Sequence, residues 1–349
     1  MVGRKYTMFD YHSIRSVHLE ISTRCNASCP LCPRNLAGYD TDLGYPIHDM
    51  TLDECQRIFT PDFVKQLTNL LINGNFGDFV TARDGLEIVR YFHDNNPNIK
   101  ILISTNGSAK PAIWSKLGAI PNVTVGFDLD GLEDTHGLYR QNTNWQTVIT
   151  NAKNFIAAGG QAVWRMVRFD HNLHQIDACK TMSQELGFAK FEILDDGRDT
   201  GPVYDRDGKF SHRLGNDAKF KNSPYPEKAV IWKEWSEPGA RPSNRLDQYK
   251  IIPVKQSVDC FSKKMSEVYV TATGEVYPCC WIGMYPKLDF KHSWQSDNFQ
   301  VQSIAKNNNA LETGLEESIK WFSAIENSWN KSSYFKGRLF KCDEYCGKN

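Results

Sequence analysis

The sequence predicts an α/β fold: a partly closed parallel barrel of six βα units, followed by a small C-terminal subdomain of a β-hairpin and helices. Strand-like and helix-like segments alternate between residues 17 and 195, which is typical of a parallel sheet. After residue 255 the pattern changes to a short hairpin with a Thr-Gly turn and several cysteines. Residues 196–255, rich in Gly, Pro, Asp and Arg, predict a bridging region with little regular structure. We therefore expect three parts, at 1–195, 196–255 and 256–349.

Six strand-like segments define the barrel, and amphipathic helical patterns separate several of them. The strands are expected at 17–22, 67–73, 99–104, 123–127, 162–169 and 188–194. The clearest helical patterns cover 84–96, 145–158 and 174–187. Because βα crossovers are right-handed, the loops that follow the strands lie at one rim. We expect the functional site at that rim.

Composition excludes several classes of function. Lys plus Arg and Asp plus Glu both number 41, so the formal net charge of zero argues against a broad nucleic-acid or anionic-membrane surface. The sequence has no apolar run of about 18 residues, and its first residues do not form a secretory signal pattern. We therefore expect a cytoplasmic protein, in which ten cysteines indicate metal or redox chemistry rather than disulfides.

Three cysteines are close together in the loop after the first predicted strand. Cys25, Cys29 and Cys32 have the spacing C-x3-C-x2-C. Three thiolates on one loop can bind three irons of a 4Fe–4S cube and leave the fourth iron open. That iron can chelate the amino and carboxylate groups of a small ligand. The alternative is zinc, but structural zinc normally has four ligands, and no fourth Cys or His lies nearby in the sequence.

A second group of cysteines occupies the last quarter of the chain. Four of them suffice to ligate one further cluster. Because Cys279 and Cys280 are adjacent in the sequence, which of the two binds stays open. The alternative is a zinc ribbon-like staple for the C-terminus. Two isolated cysteines on helix-like stretches, Cys55 and Cys179, are expected to be small buried hydrophobes. The second group consists of Cys260, Cys279, Cys280, Cys342 and Cys346.

Both groups resemble motifs of known enzymes. The C-x3-C-x2-C loop after a first strand resembles the signature of the radical S-adenosylmethionine (SAM) superfamily, which implies a partial (β/α)6 TIM-type barrel. In that family the backbone of the residue at the position of Leu31 helps to hold the adenine of SAM. The C-x13-G-x4-C spacing from Cys260 to Cys279 resembles the opening of the SPASM and Twitch extensions. Four C-terminal ligands match the shorter Twitch type and imply an auxiliary 4Fe–4S cluster held by Cys260, Cys279, Cys342 and Cys346.

The resemblance also implies residues that bind SAM. The segment GNFGD resembles the family's GGE motif, with Gly77 and Asp78 at the Gly-Glu positions and Asp in place of Glu. Asn106 borders the expected SAM site, and Asp128 stands where the family often has a serine near the ribose. Either Arg165 or Arg168 is expected to reach the SAM carboxylate, because a guanidinium matches a carboxylate well. An outward salt bridge is the alternative for the arginines.

These assignments imply an oxidoreductase that modifies a peptide or a carbohydrate, with two 4Fe–4S clusters and SAM as cofactors. A reductant such as flavodoxin or ferredoxin would supply an electron, SAM would yield a 5′-deoxyadenosyl radical, and this radical would abstract hydrogen from a small-molecule or peptide substrate. The auxiliary cluster favours oxidation, by dehydrogenation or peptide crosslinking, because it can accept the remaining electron. The alternatives are an epimerase in which Cys280 donates hydrogen, and a non-catalytic iron–sulfur or zinc protein. No nucleic acid and no membrane are expected as partners.

Overall fold

A computed structural model of the protein describes residues 10–32, 34–35, 46–108, 111–194, 201–205, 207–215, 253–284, 301 and 303–349. Its centre is an eight-stranded sheet, made of six barrel strands in chain order and, at the edge beside the first of them, two strands from the C-terminal region. Strands β1 to β6 are parallel and neighbour one another in chain order, which confirms the predicted α/β barrel. They are β1 (Ser16–Leu19), β2 (Asn69–Ile72), β3 (Lys100–Thr105), β4 (Val123–Asp128), β5 (Gln161–Val167) and β6 (Lys190–Leu194).

Helices connect consecutive strands and cover one face of the sheet. Several begin at standard capping residues: Thr51 and Glu54 form a capping box before the first helix, and Asn144 caps the sixth. The helices of the barrel are α1 (Leu52–Ile58), α2 (Pro61–Gln66), α3 (Gly85–Asn95), α4 (Ala112–Gly118), α5 (Glu133–Tyr139), α6 (Trp145–Ala157) and α7 (Ile176–Glu185).

The two faces of the sheet differ in polarity. Alternate strand residues, such as Ile101, Val125 and Trp164, lie in the main hydrophobic core. Their neighbours along each strand face the opposite side, because successive side chains of a strand alternate. On that inner face lie polar residues of several strands, including Ser104 and Arg165. The barrel therefore has a helix-covered apolar outside and a polar inside.

The C-terminal hairpin is formed as predicted, and it also extends the barrel sheet. Strands β10 (Glu267–Val270) and β11 (Val276–Tyr277) are antiparallel. Strand β10 pairs in parallel with β1, with Val17 opposite Val268. Smaller elements surround this hairpin: β9 (Ser257–Val258), α8 (Phe261–Met265), α9 (Cys280–Met284), α10 (Ala310–Thr313), α11 (Leu315–Ser318), α12 (Phe322–Ser328), α13 (Phe340–Cys346) and β12 (Gly347–Lys348).

The bridging region contains regular structure that the composition did not indicate. Strands β7 (Gly201–Tyr204) and β8 (Phe210–Leu214) form an antiparallel hairpin. The expectation of little regular structure was wrong for this segment, while 195–200, 206 and 216–252 lie outside the described residues.

Within the parts of the chain that the structure describes, no helix is both long and apolar enough to cross a membrane.

Candidate functional site

The cysteine loop, residues 25–32, leaves the carboxyl end of β1 at the expected rim. Cys29 is buried, Cys25 and Cys32 are half-buried, and all three thiols are free. Burial raises the pKa of Cys25, and the nearby Asp78, Cys32 and Cys29 add to this effect. Burial raises the pKa of Cys29 to about 12, although the Arg140 guanidinium acts in the opposite direction. The structure therefore places the three sulfur atoms within electrostatic reach of one another.

Among the described residues, which include the C-terminal cysteines, no three His, Cys, Asp or Glu side chains form a group that could hold a single metal ion. In an iron–sulfur cube each thiolate binds a different iron, so the thiolates need not converge on one ion. The absence of a single-ion site is therefore compatible with a cube at the cysteine loop.

Nitrogen donors point at two of the three sulfur atoms. The Ala27 amide lies 3.4 Å from Cys25 Sγ, and Asn106 Nδ2 lies 3.7 Å from the same atom. Arg140 Nη1 lies 3.9 Å from Cys29 Sγ. Hydrogen bonds of this kind stabilise a thiolate, which is the form that binds iron.

The hairpin β7–β8 covers the cysteine loop with apolar side chains. Val203 and Leu214 are fully buried in a second hydrophobic cluster that includes Cys29, with Leu31 packed against it. A methyl group on Gly201 would lie 2.7 Å from Leu31 Cδ2, so this backbone lies close to the loop. The hairpin excludes water from one side of the cysteine group.

Gly77 and Asp78 lie directly beside the cysteine loop. A side chain on Gly77 would collide with the backbone carbonyl oxygens of Ser22 and Arg24, so only glycine fits this approach. Asp78 accepts hydrogen bonds from Thr105 Oγ1 at 2.5 Å, from the Asn106 amide at 2.8 Å and from the Val80 amide at 3.0 Å.

These donors fill three of the roughly four acceptor positions of the Asp78 carboxylate. Burial raises the pKa of Asp78, and the three hydrogen bonds oppose that rise. One acceptor position is left for a ligand. The predicted role of Asp78 toward the SAM ammonium stays a prediction.

Asp128 belongs to a buried charged cluster that the sequence analysis missed. Arg140, in the loop after α5, lies 3.4 Å from Asp128 Oδ2 and 2.5 Å from Asp130 Oδ2. The side chain of Asp130 is fully buried. The sequence did contain a signal for this cluster: Arg140 is a single arginine twelve residues after Asp128, in a segment with several acidic residues.

The two candidate arginines of β5 differ in position. Arg165 lies on the inner face, where its guanidinium donates to Ser104 Oγ and its Nε lies 3.9 Å from Glu192. It passes so close to Gly126 that a methyl group there would lie 2.5 Å from Arg165 Cδ. Arg168 follows the end of the strand and is exposed. Of the two arginines, Arg165 is therefore the one that faces the barrel interior.

Two C-terminal cysteines, Cys260 and Cys346, are brought together by β9 and β12. These short strands pair Val258 with Gly347, and the Asp259 amide donates to the Cys346 carbonyl at 2.8 Å. The Cys260 thiol donates to Cys346, and this hydrogen bond lowers the pKa of Cys346 and raises that of Cys260.

The other two cysteines of this group are Cys279, which follows β11, and Cys342, which lies in α13. Burial raises the pKa of Cys342, and the nearby Cys279 and Cys346 raise it further. Burial also raises the pKa of Cys279 to about 12, and Cys346 contributes to that rise. Cys279 therefore lies near the other three thiols, and its role as the ligand in place of Cys280 stays a prediction.

Cys280 faces a different environment from Cys279. Burial raises its pKa to about 12, and Glu267 and Glu20 contribute to that rise. Its carbonyl accepts a hydrogen bond from Asn75 Nδ2 at 3.0 Å, and the same amide donates to Tyr269 Oη at 3.1 Å. Cys280 is therefore on the barrel side of the C-terminal region.

Glu20 connects this region with the loop after β2, and the sequence analysis did not identify it. Its carboxylate is buried and accepts from the Phe76 and Gly77 amides at 2.7 and 3.0 Å and from Tyr269 Oη at 2.8 Å. The predicted isolated cysteines, Cys55 and Cys179, are fully buried in the main core, which agrees with their expected packing role.

Comparisons by sequence find no relative: neither a protein-family model nor a curated protein matches the chain. Comparison by structure finds neighbours. The crystal structure of SuiB from Streptococcus suis has a TM-score of 0.54 and 13% identity, over 95% of this chain and 73% of SuiB. Native anSMEcpe with bound AdoMet has a TM-score of 0.51 and 14% identity, over 90% of this chain and 84% of that chain.

SuiB has also been solved with S-adenosylmethionine and with the precursor peptide SuiA. The complex of anSMEcpe with AdoMet and the Cp18Cys peptide has a TM-score of 0.51 and 13% identity, over 95% of this chain and 92% of that chain. These neighbours are radical SAM enzymes. The strand order and the structural neighbours together show that this chain has the partial-barrel fold of SuiB and anSMEcpe.

Proposed function

We propose that this chain is a radical SAM enzyme in which Cys25, Cys29 and Cys32 hold a 4Fe–4S cluster with one open iron. The observation that carries the proposal is the group of three free thiols, close together and partly shielded from water, at the carboxyl end of β1 in this fold. When bound and reduced, such a cluster with SAM supplies a 5′-deoxyadenosyl radical that abstracts hydrogen from a substrate.

Residues of the barrel rim would bind and orient SAM. The Leu31 backbone would contact the adenine, and the close approach at Gly77 would keep the loop after β2 near the cysteine loop. Asp78 has one acceptor position left for the ammonium. The list of proposed SAM-binding residues is Leu31, Gly77, Asp78, Asn106, Asp128, Arg165 and Arg168, with the inner position favouring Arg165 over Arg168 for the carboxylate.

We further propose that the C-terminal region holds an auxiliary 4Fe–4S cluster of the Twitch type. Support comes from the mutual electrostatic influence of the four thiols and from the backbone amides directed at three of them. A cluster with four thiolate ligands has no open iron, so its chemistry would be electron transfer rather than substrate binding. The proposed ligands are Cys260, Cys279, Cys342 and Cys346.

An electron acceptor near the barrel favours a net oxidation, such as dehydrogenation or peptide crosslinking. A peptide is the substrate class that the structural neighbours favour, because SuiB and anSMEcpe were both solved with peptides. The polar inner face of the barrel, which includes Glu20 and Arg165, offers hydrogen-bonding groups that a peptide backbone can use. A flavodoxin or ferredoxin would supply the electron for the first cluster.

Radical epimerisation is the second candidate function, and the position of Cys280 favours it. The Cys280 side chain lies near Tyr269, Glu20 and Glu267. A thiol on the barrel side can return a hydrogen atom to a substrate radical, which inverts a stereocentre without net oxidation of the substrate. One electron from the reductant and one proton would then convert the resulting thiyl radical back to the thiol. A Cys280→Ala variant distinguishes the two functions, because it would abolish epimerisation and leave oxidation in place.

The first experiment is anaerobic reconstitution followed by iron and sulfide counting. We expect about eight irons per chain, and about four in a Cys25→Ala/Cys29→Ala/Cys32→Ala variant. With dithionite and SAM, the unmodified protein should release 5′-deoxyadenosine, and that variant should release none. A Cys260→Ala/Cys279→Ala/Cys342→Ala/Cys346→Ala variant should retain about four irons and SAM cleavage. Zinc in place of iron, or iron without SAM cleavage, would contradict the proposal.

A further inference from the structure

Among the described residues, the cationic side chain of Arg140 approaches a sulfur atom of the cysteine loop. Its Nη1 lies 3.9 Å from Cys29 Sγ, and its side chain is 12% exposed. In a site with little water, a guanidinium acts on a neighbouring thiolate both as a charge and as a hydrogen-bond donor.

The guanidinium is held by groups that are themselves fixed. Nε donates to Asp130 Oδ2, and Nη2 lies near Asp128 Oδ2. The other Asp130 oxygen accepts from the Val167 amide at 2.5 Å, and the Asp130 amide donates to His136 Nδ1 at 3.2 Å. Arg140 therefore has one orientation in which two acids are paired and one N–H is directed at Cys29.

We propose that Arg140 is a positioning residue that raises the reduction potential of the cluster on the cysteine loop. This inference rests on the proposed function of Cys25, Cys29 and Cys32. Hydrogen bonds and positive charge near a cluster sulfur favour the more negative, reduced state. Loss of the Arg140 charge should therefore make the cluster harder to reduce. An Arg140→Lys variant keeps the charge but lacks the planar fork, so it can satisfy Asp130 or Cys29 but not both.

The test is a redox titration followed by electron paramagnetic resonance. The signal of the cysteine-loop cluster is identified by its change when SAM is added. In Arg140→Gln we expect a midpoint potential lower than in the unmodified protein, and in Arg140→Lys an intermediate value. Arg24→Gln is the matched control, because that arginine adjoins Cys25 in sequence but pairs with Asp49. Its potential should equal that of the unmodified protein.

A buried Asp130 without its partner could unfold the Arg140→Gln variant. The Asp130→Asn/Arg140→Gln double variant removes both charges, so it keeps the local net charge and loses only the donor to Cys29. Its potential should lie below that of the unmodified protein but above that of the single variant. If the midpoint potential is unchanged in all three Arg140 variants while their signals still respond to SAM, the inference about Arg140 is wrong. The proposed function would not be affected by that result. Absence of a SAM-sensitive signal from the unmodified protein would instead refute the proposed function.

Discussion

At the scale of single residues, the candidate site depends on groups with little freedom to change. Gly77 allows two backbone segments to meet, and the Asp78 carboxylate has already accepted three hydrogen bonds from the protein. His136 is buried and neutral, because its Nδ1 accepts a hydrogen bond from the Asp130 amide. These residues link the geometry of the site to the stability of the fold.

Gly77→Ala should destabilise the protein by about 1–3 kcal/mol, because the added methyl group has no room beside the Ser22 carbonyl. Urea unfolding measures this change. Gly137→Ala is the matched control: Gly137 lies within α5, has no atom within 4 Å of the added methyl group, and should stabilise the helix by roughly 0.5–1 kcal/mol. Equal effects of the two substitutions would contradict the close approach at Gly77.

The free energy of unfolding should decrease as the pH is lowered, because His136 is buried in its neutral form. Burial, followed by the Arg140 charge, lowers the His136 pKa from 6.5 to about 3. Between these pKa values the unfolded state binds the proton more readily, so stability is present above pH 6.5 and is lost as the pH falls toward 3. At pH 5 the loss from this group is about 2 kcal/mol.

Urea unfolding at pH 7.5 and pH 5 tests this dependence. His136→Gln should be less stable than the unmodified protein at pH 7.5 and should lose less stability on acidification. His12→Gln is the control, because His12 is exposed and its replacement should leave the pH dependence unchanged. A His136→Gln protein with the full loss of stability between the two pH values would disprove the assignment.

At the scale of elements, the hairpin β7–β8 shields the cysteine loop from solvent. Val203 and Leu214 pack in the same cluster as Cys29 and Phe169. The composition of residues 196–255 predicted little regular structure, because Gly and Pro are as common in hairpin turns as in irregular chain. This segment forms strands because it packs against the cysteine loop, which is distant in sequence.

Leu214→Ala should remove apolar cover from the cysteine loop. We expect a loss of about 2–5 kcal/mol in stability, since Leu214 is fully buried, and a faster loss of iron in air. Thermal unfolding and the rate of iron release to a chelator measure the two effects. Leu173→Ala is the control, because Leu173 is 45% exposed, and it should change neither quantity appreciably. Equal rates of iron release in the two variants would show that the hairpin does not protect the cluster.

At the scale of the whole molecule, the C-terminal region and the barrel share one sheet. Strand β10 pairs with β1, and Tyr269 donates to Glu20 across 249 positions of sequence. The same tyrosine accepts from Asn75, which also donates to the Cys280 carbonyl. These hydrogen bonds join β1, the loop after β2 and the C-terminal region.

Tyr269→Phe should cost about 1–3 kcal/mol, because the buried Glu20 carboxylate loses a donor. A double-mutant cycle with Glu20→Gln, measured by urea unfolding, should give a coupling energy of about 0.5–3 kcal/mol. Additive effects of the two substitutions would mean that this hydrogen bond does not couple β1 to β10.

The sequence by itself determined the α/β barrel, the six strands near their observed bounds and the two groups of cysteines. These features are local: periodicity in a strand or helix and spacing within a loop depend on neighbouring residues. The hairpin from β10 to β11 was likewise predictable from its turn.

The tertiary structure decided the features that join distant segments. It placed Arg140 against Cys29, buried Glu20 beneath Tyr269, and put Cys280 on the barrel side while Cys279 faces the other thiols. No local pattern encodes such contacts, because they depend on which strands become neighbours and which side chains then find partners inside the folded chain.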